Sequence, residues 1–269
     1  MAVAAASLDA PVLNRSKAAW AVADALTVTK RNLIAMTRLP QVLVFSTVQP
    51  VIFVLMFRYV FGGAIHITGV RYVDYLMPGI FIQTVTFGST NTGVGLAEDL
   101  QKGLIERFRS LAMARSAVLA GRTIADAVRN LFVIALMVAV GFAVGFHLHT
   151  NVAALLLACG VMLLFGFAMS WAMATIGLLT RNAEAAQAAS FPFMALLVFA
   201  SNSFVSTKTM PGPLRAYANH QPVSATVDAV RALVLGGPTA SKVLTAVAWC
   251  VGIIAVFAPL AVARYRRSA

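Results

Sequence analysis

The fold of this chain is decided by one apolar run, VAALLLACGVMLLFGFAMSWAMATIGLL, which extends from Val152 to Leu179. The run contains no charged residue over its 28 positions. A helix needs about 20 mainly apolar residues to cross the hydrocarbon core of a bilayer. This run exceeds that length, so it predicts a membrane-spanning helix that tilts or projects into the cytoplasm.

Five further apolar stretches accompany this run, and together they predict six spans. We assign all of them to helices, because a helix satisfies its own backbone hydrogen bonds in lipid and a lone strand does not. The predicted spans are Gln41–Phe61, Tyr75–Leu96, Ile124–Phe146, Val152–Leu179, Ala185–Phe204 and Val243–Val262. The chain is therefore predicted to be an all-α, polytopic membrane protein.

The composition agrees with a membrane protein. Hydrophobic residues make up 60% of the 269 positions and charged residues 11%, whereas a soluble domain carries about 25% charged residues. The net charge of +12 comes from basic residues that flank the spans, where they meet anionic lipid headgroups. We therefore expect lipid contact and no nucleic-acid partner. Cys159 and Cys250 lie inside apolar stretches and predict neither a disulfide nor a metal site.

The positions of lysine and arginine predict the orientation in the membrane. Of the 21 basic residues, fifteen fall at the two ends, in the second and fourth connections and just inside the third span, and six fall on the opposite side. Basic residues favour the cytoplasmic side. Both termini are therefore predicted to be cytoplasmic, in a multi-pass protein of the plasma membrane.

The first 39 residues form a separate unit before the transmembrane domain of residues 40–269. They lack the compact apolar core of a signal peptide. Apolar residues of this segment gather on one helical face and charged residues on the other, which predicts a cytoplasmic amphipathic helix at the membrane interface. A frayed polar tail is the alternative. The apolar face holds Val22, Leu26, Leu33 and Met36, and the charged face holds Lys17, Asp24, Arg31 and Arg38.

Catalytic motifs are missing from the sequence. There is no phosphate-binding G-x-x-x-x-G-K-[ST] loop, no H-E-x-x-H and no G-x-S-x-G. His147 and His149 lack a nearby carboxylate in sequence and predict a connecting loop, not a metal site. Asp126 falls near the cytoplasmic start of the third span, and Arg122, one turn earlier, is its expected partner. Few ionisable residues occur within the spans, which disfavours an ion-coupled transporter.

Two segments carry patterns beyond plain hydrophobicity. The second span presents Gln83, Thr86, Thr90 and Asn91 on one helical face, and such a stripe serves either interhelical hydrogen bonding or a water-accessible path. Residues 98–120 place an apolar stripe opposite alternating charges, which predicts an amphipathic cytoplasmic helix. That helix would lie on headgroups or insert into a groove of a partner, and a solvated basic loop is the alternative. Its apolar stripe is Leu100, Leu104, Phe108 and Leu111.

The segment from 205 to 242 is too polar and too rich in proline to span the membrane. Within it, Ala225–Leu235 is predicted to be a short outer helix, with Ser224 as its cap and Gly236-Gly237 as its end. This part of the chain would lie at the outer interface or dip part way into the bilayer.

Four stretches of the chain resemble one known family. They are EDLQKGLIERFRSL (Glu98–Leu111), MARSAVLAGR (Met113–Arg122), YLMPG (Tyr75–Gly79) and HQPVSATVDAVR (His220–Arg231). The chain resembles the ABC-2-type exporter permeases, in particular the daunorubicin-resistance (multidrug efflux) branch of actinobacteria. It departs from the family pattern where His-Gln replaces the usual Asn before Pro222 and where Ser224 stands near the usual Thr.

The resemblance implies an architecture and a set of partners. It implies six transmembrane helices, an amino-terminal interfacial helix and a cytoplasmic coupling helix that docks on a separate nucleotide-binding subunit. Two such subunits would carry ATP and Mg²⁺ and pair with two permease halves, the second identical or homologous to this chain. The residues that would contact the ATPase are Leu104, Ile105, Glu106, Arg107, Phe108, Arg109, Ser110, Leu111 and Arg115.

The resemblance also implies a substrate path between the permease halves, lined largely by the second and fifth helices. The path residues expected on that basis are Gln83, Thr86, Thr90, Asn91, Phe191, Phe193, Phe199 and Asn202. The expected function is ATP-driven export of hydrophobic or amphipathic molecules, drugs or lipids. An ion-coupled secondary transporter and a non-transporting membrane scaffold are the alternatives.

Overall fold

The computed structural model of the chain describes residues 17–38, 40–60, 62, 69–103 and 115–267. All regular structure within these ranges is helical, which confirms the prediction of an all-α protein. Ten α-helices follow one another along the described residues. They are α1 (Lys17–Arg38), α2 (Pro40–Leu55, continued by a π-helical turn over Met56–Val60), α3 (Tyr72–Gly88), α4 (Thr90–Gln101), α5 (Arg115–Ala143), α6 (Val152–Thr180), α7 (Ala183–Phe199), α8 (Gly212–Asn219), α9 (Pro222–Leu235) and α10 (Thr239–Arg267).

Three of the described helices are long and apolar enough to cross a membrane: Ala120–Ala143 within α5, Val152–Thr180, and Thr239–Tyr265 within α10. They coincide with the third, fourth and sixth predicted spans. The first and fifth predicted spans correspond to the shorter apolar helices Val48–Val60 and Ala183–Phe199. The second differs from the prediction, because α3 and α4 divide it at Ser89.

The helix α6 is the centre of the molecule, since it packs against α3, α4, α5, α7, α9 and α10. Its ends are set by local chemistry. The side chain of Asn151 accepts a hydrogen bond from the backbone N–H of Ala154 at 2.8 Å, which satisfies a free donor of the first turn. Arg181 ends the helix in the left-handed conformation, with φ of 53°. The middle of α6 is buried on most of its faces.

Glycine allows α4 and α6 to touch through their backbones. A Cβ on Gly177 would overlap the carbonyl oxygen of Gly93, and a Cβ on Gly93 would overlap that of Met173. Small residues permit this approach in membrane helices. The contact holds α4 against the central helix of the fold.

The amino-terminal helix α1 packs against the beginning of α5. Ala25 and Val28 are buried there, and the hydroxyl of Thr29 donates to the carbonyl of Gly121 at 3.0 Å. Leu26, expected on the membrane-facing side, is 58% exposed. One face of α1 thus packs against the rest of the protein and another is exposed. The location of α1 at a membrane interface stays a prediction.

The outer segment forms a longer helix than the sequence predicts. The helix α9 begins at Pro222, with Gln221 at the cap position, so the predicted cap at Ser224 is wrong. Proline fits the first turn because its missing N–H would have no partner there. Ser224 lies inside α9, where its hydroxyl accepts a hydrogen bond from the backbone N–H of Asn202 at 3.2 Å. The predicted end is confirmed, since Gly236 follows the helix with φ of 94°.

Candidate functional site

A cavity of about 550 Å³ opens between α2, α3, α4, α5 and α7. It combines carboxamide side chains with aromatic rings. Its lining consists of Gln49, Pro50, Phe53, Gln83, Thr84, Phe87, Gly88, Thr90, Asn91, Arg129, Asn130, Val133, Gln187 and Phe191. A concave site with apolar walls and a few polar groups is the usual form of a small-molecule site.

The cavity lies beside the interruption between α3 and α4. At this point the backbone N–H of Thr92 bonds to the carbonyl of Ser89 at 3.0 Å, one residue short of the α-helical pattern. The carbonyl of Gly88 is thereby left for side chains, and it accepts from Arg129 at 2.6 Å and from Asn91 at 3.2 Å. The guanidinium of Arg129 thus caps the carboxyl end of α3, where the helix dipole favours a positive charge.

A buried ion pair supports this cap. The guanidinium of Arg129 lies 3.4 Å from the carboxylate of Asp126, and both side chains are less than 5% exposed. The hydroxyl of Thr92 on α4 donates to the same carboxylate. A buried charge is costly without a partner, so the pair and its hydrogen bonds hold α3, α4 and α5 together at the cavity wall.

The predicted pairing of Asp126 with Arg122 is wrong. Arg122 instead binds Asp99 on α4, and Asp99 also lies 3.9 Å from Arg31 on α1. The reason is that α4 presents its own carboxylate to Arg122, a contact between distant parts of the chain that spacing within α5 does not reveal. Asp99 therefore joins α1, α4 and α5 beyond the cavity.

In two side-chain amides of the cavity wall, one atom has no hydrogen-bond partner among the described residues: Oε1 of Gln83 and Nδ2 of Asn130. Gln83 is 4% exposed and Asn130 is 2% exposed. Buried polar groups are normally satisfied, because leaving one without a partner costs free energy. Both atoms belong to side chains that line the cavity, one on α3 and one on α5.

A second cluster ties the outer segment to α3 and to the end of α7. The guanidinium of Arg231 on α9 donates to the carbonyls of Tyr75 at 3.0 Å, Asn202 at 2.7 Å and Ser203 at 3.1 Å. It also stacks on the ring of Tyr75, with 3.6 Å from Cζ to the ring centroid. Burial lowers the pKa of Arg231, and the Tyr75 hydroxyl and the Asp228 carboxylate oppose that shift.

A third cluster fixes the beginning of α3. Asp74 is fully buried and receives two hydrogen bonds from Arg71, at 3.0 and 3.1 Å, and one from the backbone N–H of His147, at 2.8 Å. His149 lies 3.9 Å from the same carboxylate. Both histidines therefore belong to the connection between α5 and α6, where they help hold that connection against α3.

The comparisons with known proteins agree with this architecture. The family described as ABC-2 type transporter matches residues 24–235. The chain belongs to this family. It is 35% identical over 254 residues to the daunorubicin resistance ABC transporter permease protein DrrB1 of Streptomyces coeruleorubidus, covering 94% of this chain and 89% of that one. It is 28% identical over 249 residues to the probable doxorubicin resistance ABC transporter permease protein DrrC of Mycobacterium tuberculosis, covering 92% and 90%.

Membership has direct consequences for the chemistry of the chain. ABC-2 permeases are integral membrane subunits of transporters and are not enzymes, because ATP hydrolysis belongs to a separate subunit. The absence of catalytic motifs from the sequence is consistent with ATP hydrolysis by a separate subunit. The chain is therefore a membrane permease subunit and not itself the ATPase.

The structure brings together four of the eight path residues expected from the sequence. Gln83, Thr90, Asn91 and Phe191 line the cavity of this ABC-2 permease. The other four lie elsewhere. Thr86 is fully buried and its hydroxyl donates to the carbonyl of Ile82 at 2.6 Å, whereas Phe193 and Phe199 are 42% and 51% exposed on α7. Asn202 lines a separate, more polar cavity of about 560 Å³ beside Arg231.

The residues expected to contact an ATPase lie mostly outside the described ranges. Leu104 to Leu111 fall in the gap between Gly103 and Arg115, and Arg115 begins α5. The gap connects the end of α4 to the start of α5. Thr92 and Asp99 lie on α4, and Arg122, Asp126 and Arg129 lie on α5.

Sequence reasoning missed five polar residues of the cavity wall: Gln49, Thr84, Arg129, Asn130 and Gln187. Each stands within or beside a stretch treated as apolar, and a polar side chain in a span is the signal that would have revealed it. Arg129 was instead counted among the basic residues that set orientation. Its partner Asp126 was noticed and assigned to the wrong arginine.

Proposed function

We propose that this permease exports hydrophobic or amphipathic molecules, such as drugs or lipids, across a bacterial plasma membrane. The observation that carries the proposal is the cavity at the α3–α4 interruption, where carboxamides and aromatic rings share one wall in a chain of this family. Relatives named for daunorubicin and doxorubicin resistance support a substrate of this kind. The same cavity would form part of the substrate path.

Two nucleotide-binding subunits would power the transport, and a second permease half, identical or homologous, would complete the path. ATP and Mg²⁺ would be bound by those subunits and no cofactor by this chain. Both termini would face the cytoplasm, since most lysine and arginine residues fall on that side of the predicted spans.

Residues 104–111 and Arg115 would receive the movement of the ATPase. A displacement there would pass to α4 and α5. Two contacts join these helices, the ion pair between Asp99 and Arg122 and the hydrogen bond between Thr92 and Asp126. Because Arg129 on α5 also holds the carbonyl of Gly88, movement of this two-helix unit would act directly on the end of α3 and on the cavity wall. Closure of the ATPase pair on ATP would thereby open the path outward.

Replacement of Phe108 tests the coupling. We expect Phe108→Ala, in the complex purified with its ATPase, to lose most substrate-stimulated ATP hydrolysis and export while the chain still inserts and the complex still elutes intact. A buried aromatic at an interface often contributes about 2 kcal/mol or more when truncated. Lys102→Ala is the matched control, because Lys102 is 65% exposed and pairs only with Glu98 among the described residues.

Full substrate stimulation and export by the Phe108→Ala complex would show that the coupling assignment is wrong. Transport in liposomes that needs an ion gradient and no ATPase would favour an ion-coupled transporter instead. A purified complex that contains no nucleotide-binding subunit, and that moves no substrate, would favour a scaffold.

A further inference from the structure

We propose that the second cavity, beside Arg231, binds a phosphate group that an anionic lipid of the outer leaflet supplies. This outer polar cavity has a volume of about 560 Å³ and lies between the connection after α7, α9 and the beginning of α10. None of the described residues that line it also line the cavity at the α3–α4 interruption. The proposal goes beyond the proposed function, and only the choice of the outer leaflet rests on the proposed orientation of the chain.

Positive charge predominates in the wall of the outer polar cavity. Three basic side chains line it: Lys208, Arg231 and Lys242. Asp228 is the single acidic residue among the described residues of the wall. Its carboxylate is already engaged, because it accepts a hydrogen bond from the side-chain amide of Asn202 at 2.7 Å and lies 3.8 Å from the guanidinium of Arg231. The charge that remains therefore favours an anion in the cavity.

The two lysines of this wall, Lys208 and Lys242, have no partner in the part of the chain that the structure describes. Neither ammonium forms an ion pair or a hydrogen bond with a described residue. The neighbouring arginines differ, since Arg215 donates to three backbone carbonyls within residues 207–210 and Arg231 donates to carbonyls on α3 and after α7. Basic residues are disfavoured on the outer side of a membrane, so two lysines placed there without an internal contact favour a ligand from outside the chain.

The outer polar cavity lies at the level expected for lipid headgroups. Lys242 and Thr245 line it from the beginning of α10, whose segment Thr239–Tyr265 is long and apolar enough to cross a membrane. Leu244, between them in sequence, is 71% exposed, and Val205, in the connection after α7, is 39% exposed. Headgroups surround the ends of spanning helices. A lipid bound here would therefore place its phosphate against the lysines and its acyl chains along exposed apolar side chains.

A phosphate group also suits the uncharged polar groups of the wall. The hydroxyls of Ser206 and Ser241 line the cavity, and each is able to donate a hydrogen bond to a phosphate oxygen. The amino end of α10 favours a negative charge through the helix dipole. Lysine binds phosphate as a point charge, so ammonium groups from two segments can act on one phosphate. A bound phosphate would thus join the connection after α7 to the beginning of α10.

Thermal unfolding of the full-length chain in a neutral detergent measures this binding. Short-chain phosphatidylglycerol, short-chain phosphatidylcholine and inorganic phosphate are titrated separately, and the rise of the unfolding midpoint with concentration gives an apparent affinity. We expect phosphatidylglycerol to bind about tenfold more tightly than phosphatidylcholine, because the choline ammonium compensates the charge of its own phosphate. Inorganic phosphate should give no rise over the same concentrations, since it lacks the apolar contacts.

Replacement of charged residues in the wall tests the location of the site. Lys208→Gln and Lys242→Gln should each weaken the binding of phosphatidylglycerol about fivefold. Asp228→Asn removes the acidic side chain with almost no change of shape, so it should tighten that binding by a similar factor. Lys102→Gln is the matched control, because it removes one charge from an exposed side chain outside the cavity. The midpoint of each variant without lipid establishes that the variant is folded.

Equal affinities for the two lipids would overturn the proposal. An affinity for phosphatidylglycerol that Lys208→Gln and Lys242→Gln leave unchanged would also overturn it, because the lipid would then bind elsewhere on the chain. A rise with inorganic phosphate equal to the rise with phosphatidylglycerol would assign the site to the free anion and refute the lipid as its source. The measurement needs neither nucleotide nor an ATPase, so its outcome is separate from that of ATP-driven export.

Discussion

Replacing Arg231 should detach the outer segment from the helices beneath it. This side chain bonds to backbone carbonyls of three residues that lie on α3 and just after α7, and it stacks on the ring of Tyr75. We consider two replacements. Arg231→Met keeps much of the length and removes all polar contacts, whereas Arg231→Lys keeps the charge and loses the planar fork.

The expected loss in the free energy of unfolding follows from the backbone carbonyls that each replacement leaves without a hydrogen-bond donor. A hydrogen bond from a charged group contributes about 1.5–3 kcal/mol, and three carbonyls lose such a donor in Arg231→Met. Relief of the buried guanidinium from its desolvation offsets part of this loss. We therefore expect Arg231→Met to lower the free energy of unfolding by about 3–5 kcal/mol, as is typical when one member of a buried charged network is removed. Arg231→Lys should lose about 1–3 kcal/mol, because an ammonium cannot reach all three carbonyls at once.

Thermal unfolding of a fluorescent fusion in mild detergent, followed by size-exclusion elution, ranks the three proteins. The order of midpoints should be wild type, Arg231→Lys, Arg231→Met. Asp228→Asn serves as the control, since the Asp228 side chain is 42% exposed and lies 3.8 Å from the guanidinium, so its change should be small. A midpoint for Arg231→Met within error of the wild type would refute the reasoning.

Three further predictions concern the helix contacts. Gly79→Ala should lower the unfolding midpoint because its Cβ would overlap the carbonyl of Ser203, whereas Gly160→Ala, which meets nothing within 4 Å, should leave it unchanged or raise it. Asp126→Asn should lower the free energy of unfolding by about 3 kcal/mol, since it leaves Arg129 buried without its counter-charge. The double replacement Asp126→Asn with Arg129→Met should recover part of that loss. All are measured in the same detergent assay, and an additive double replacement would contradict the ion-pair argument.

Helix positions were largely predictable from the sequence because the apolar runs are long and uncharged. The third, fourth and sixth spans match helices that begin and end within a few residues of expectation at one end or both. Ser89 shows the limit of this approach. The carbonyl of Gly88 that the interruption leaves free is bonded by the nearby Asn91 and also by Arg129, which lies 41 residues beyond it in sequence, and no local pattern encodes the contact with Arg129.

The candidate site was predictable only in part, for a related physical reason. Three members of the polar stripe of the second span, Gln83, Thr86 and Thr90, are buried within the protein, but helical periodicity alone could not say which of its hydroxyls would bond within the helix. The hydroxyl of Thr86 donates to the carbonyl of Ile82 within the helix, whereas Thr90 lines the cavity. The outer path residue Asn202 follows the end of α7 at a turn, so it joins Arg231 and not the cavity.

The Asp126–Arg129 pair explains how one polar cluster can serve both stability and movement. A helix interruption inside a membrane protein requires neighbouring groups to satisfy the freed backbone, and here the guanidinium of Arg129 comes from α5 while the amide of Asn91 comes from α4. The guanidinium cap on α3 therefore persists only while α5 keeps its register against Gly88. Because Thr92 on α4 holds the same carboxylate, a shift that carries α4 and α5 together preserves the ion pair and loads the hydrogen bonds that Arg129 and Asn91 donate to Gly88. We propose that movement of α4 and α5 would reach the cavity through these two bonds.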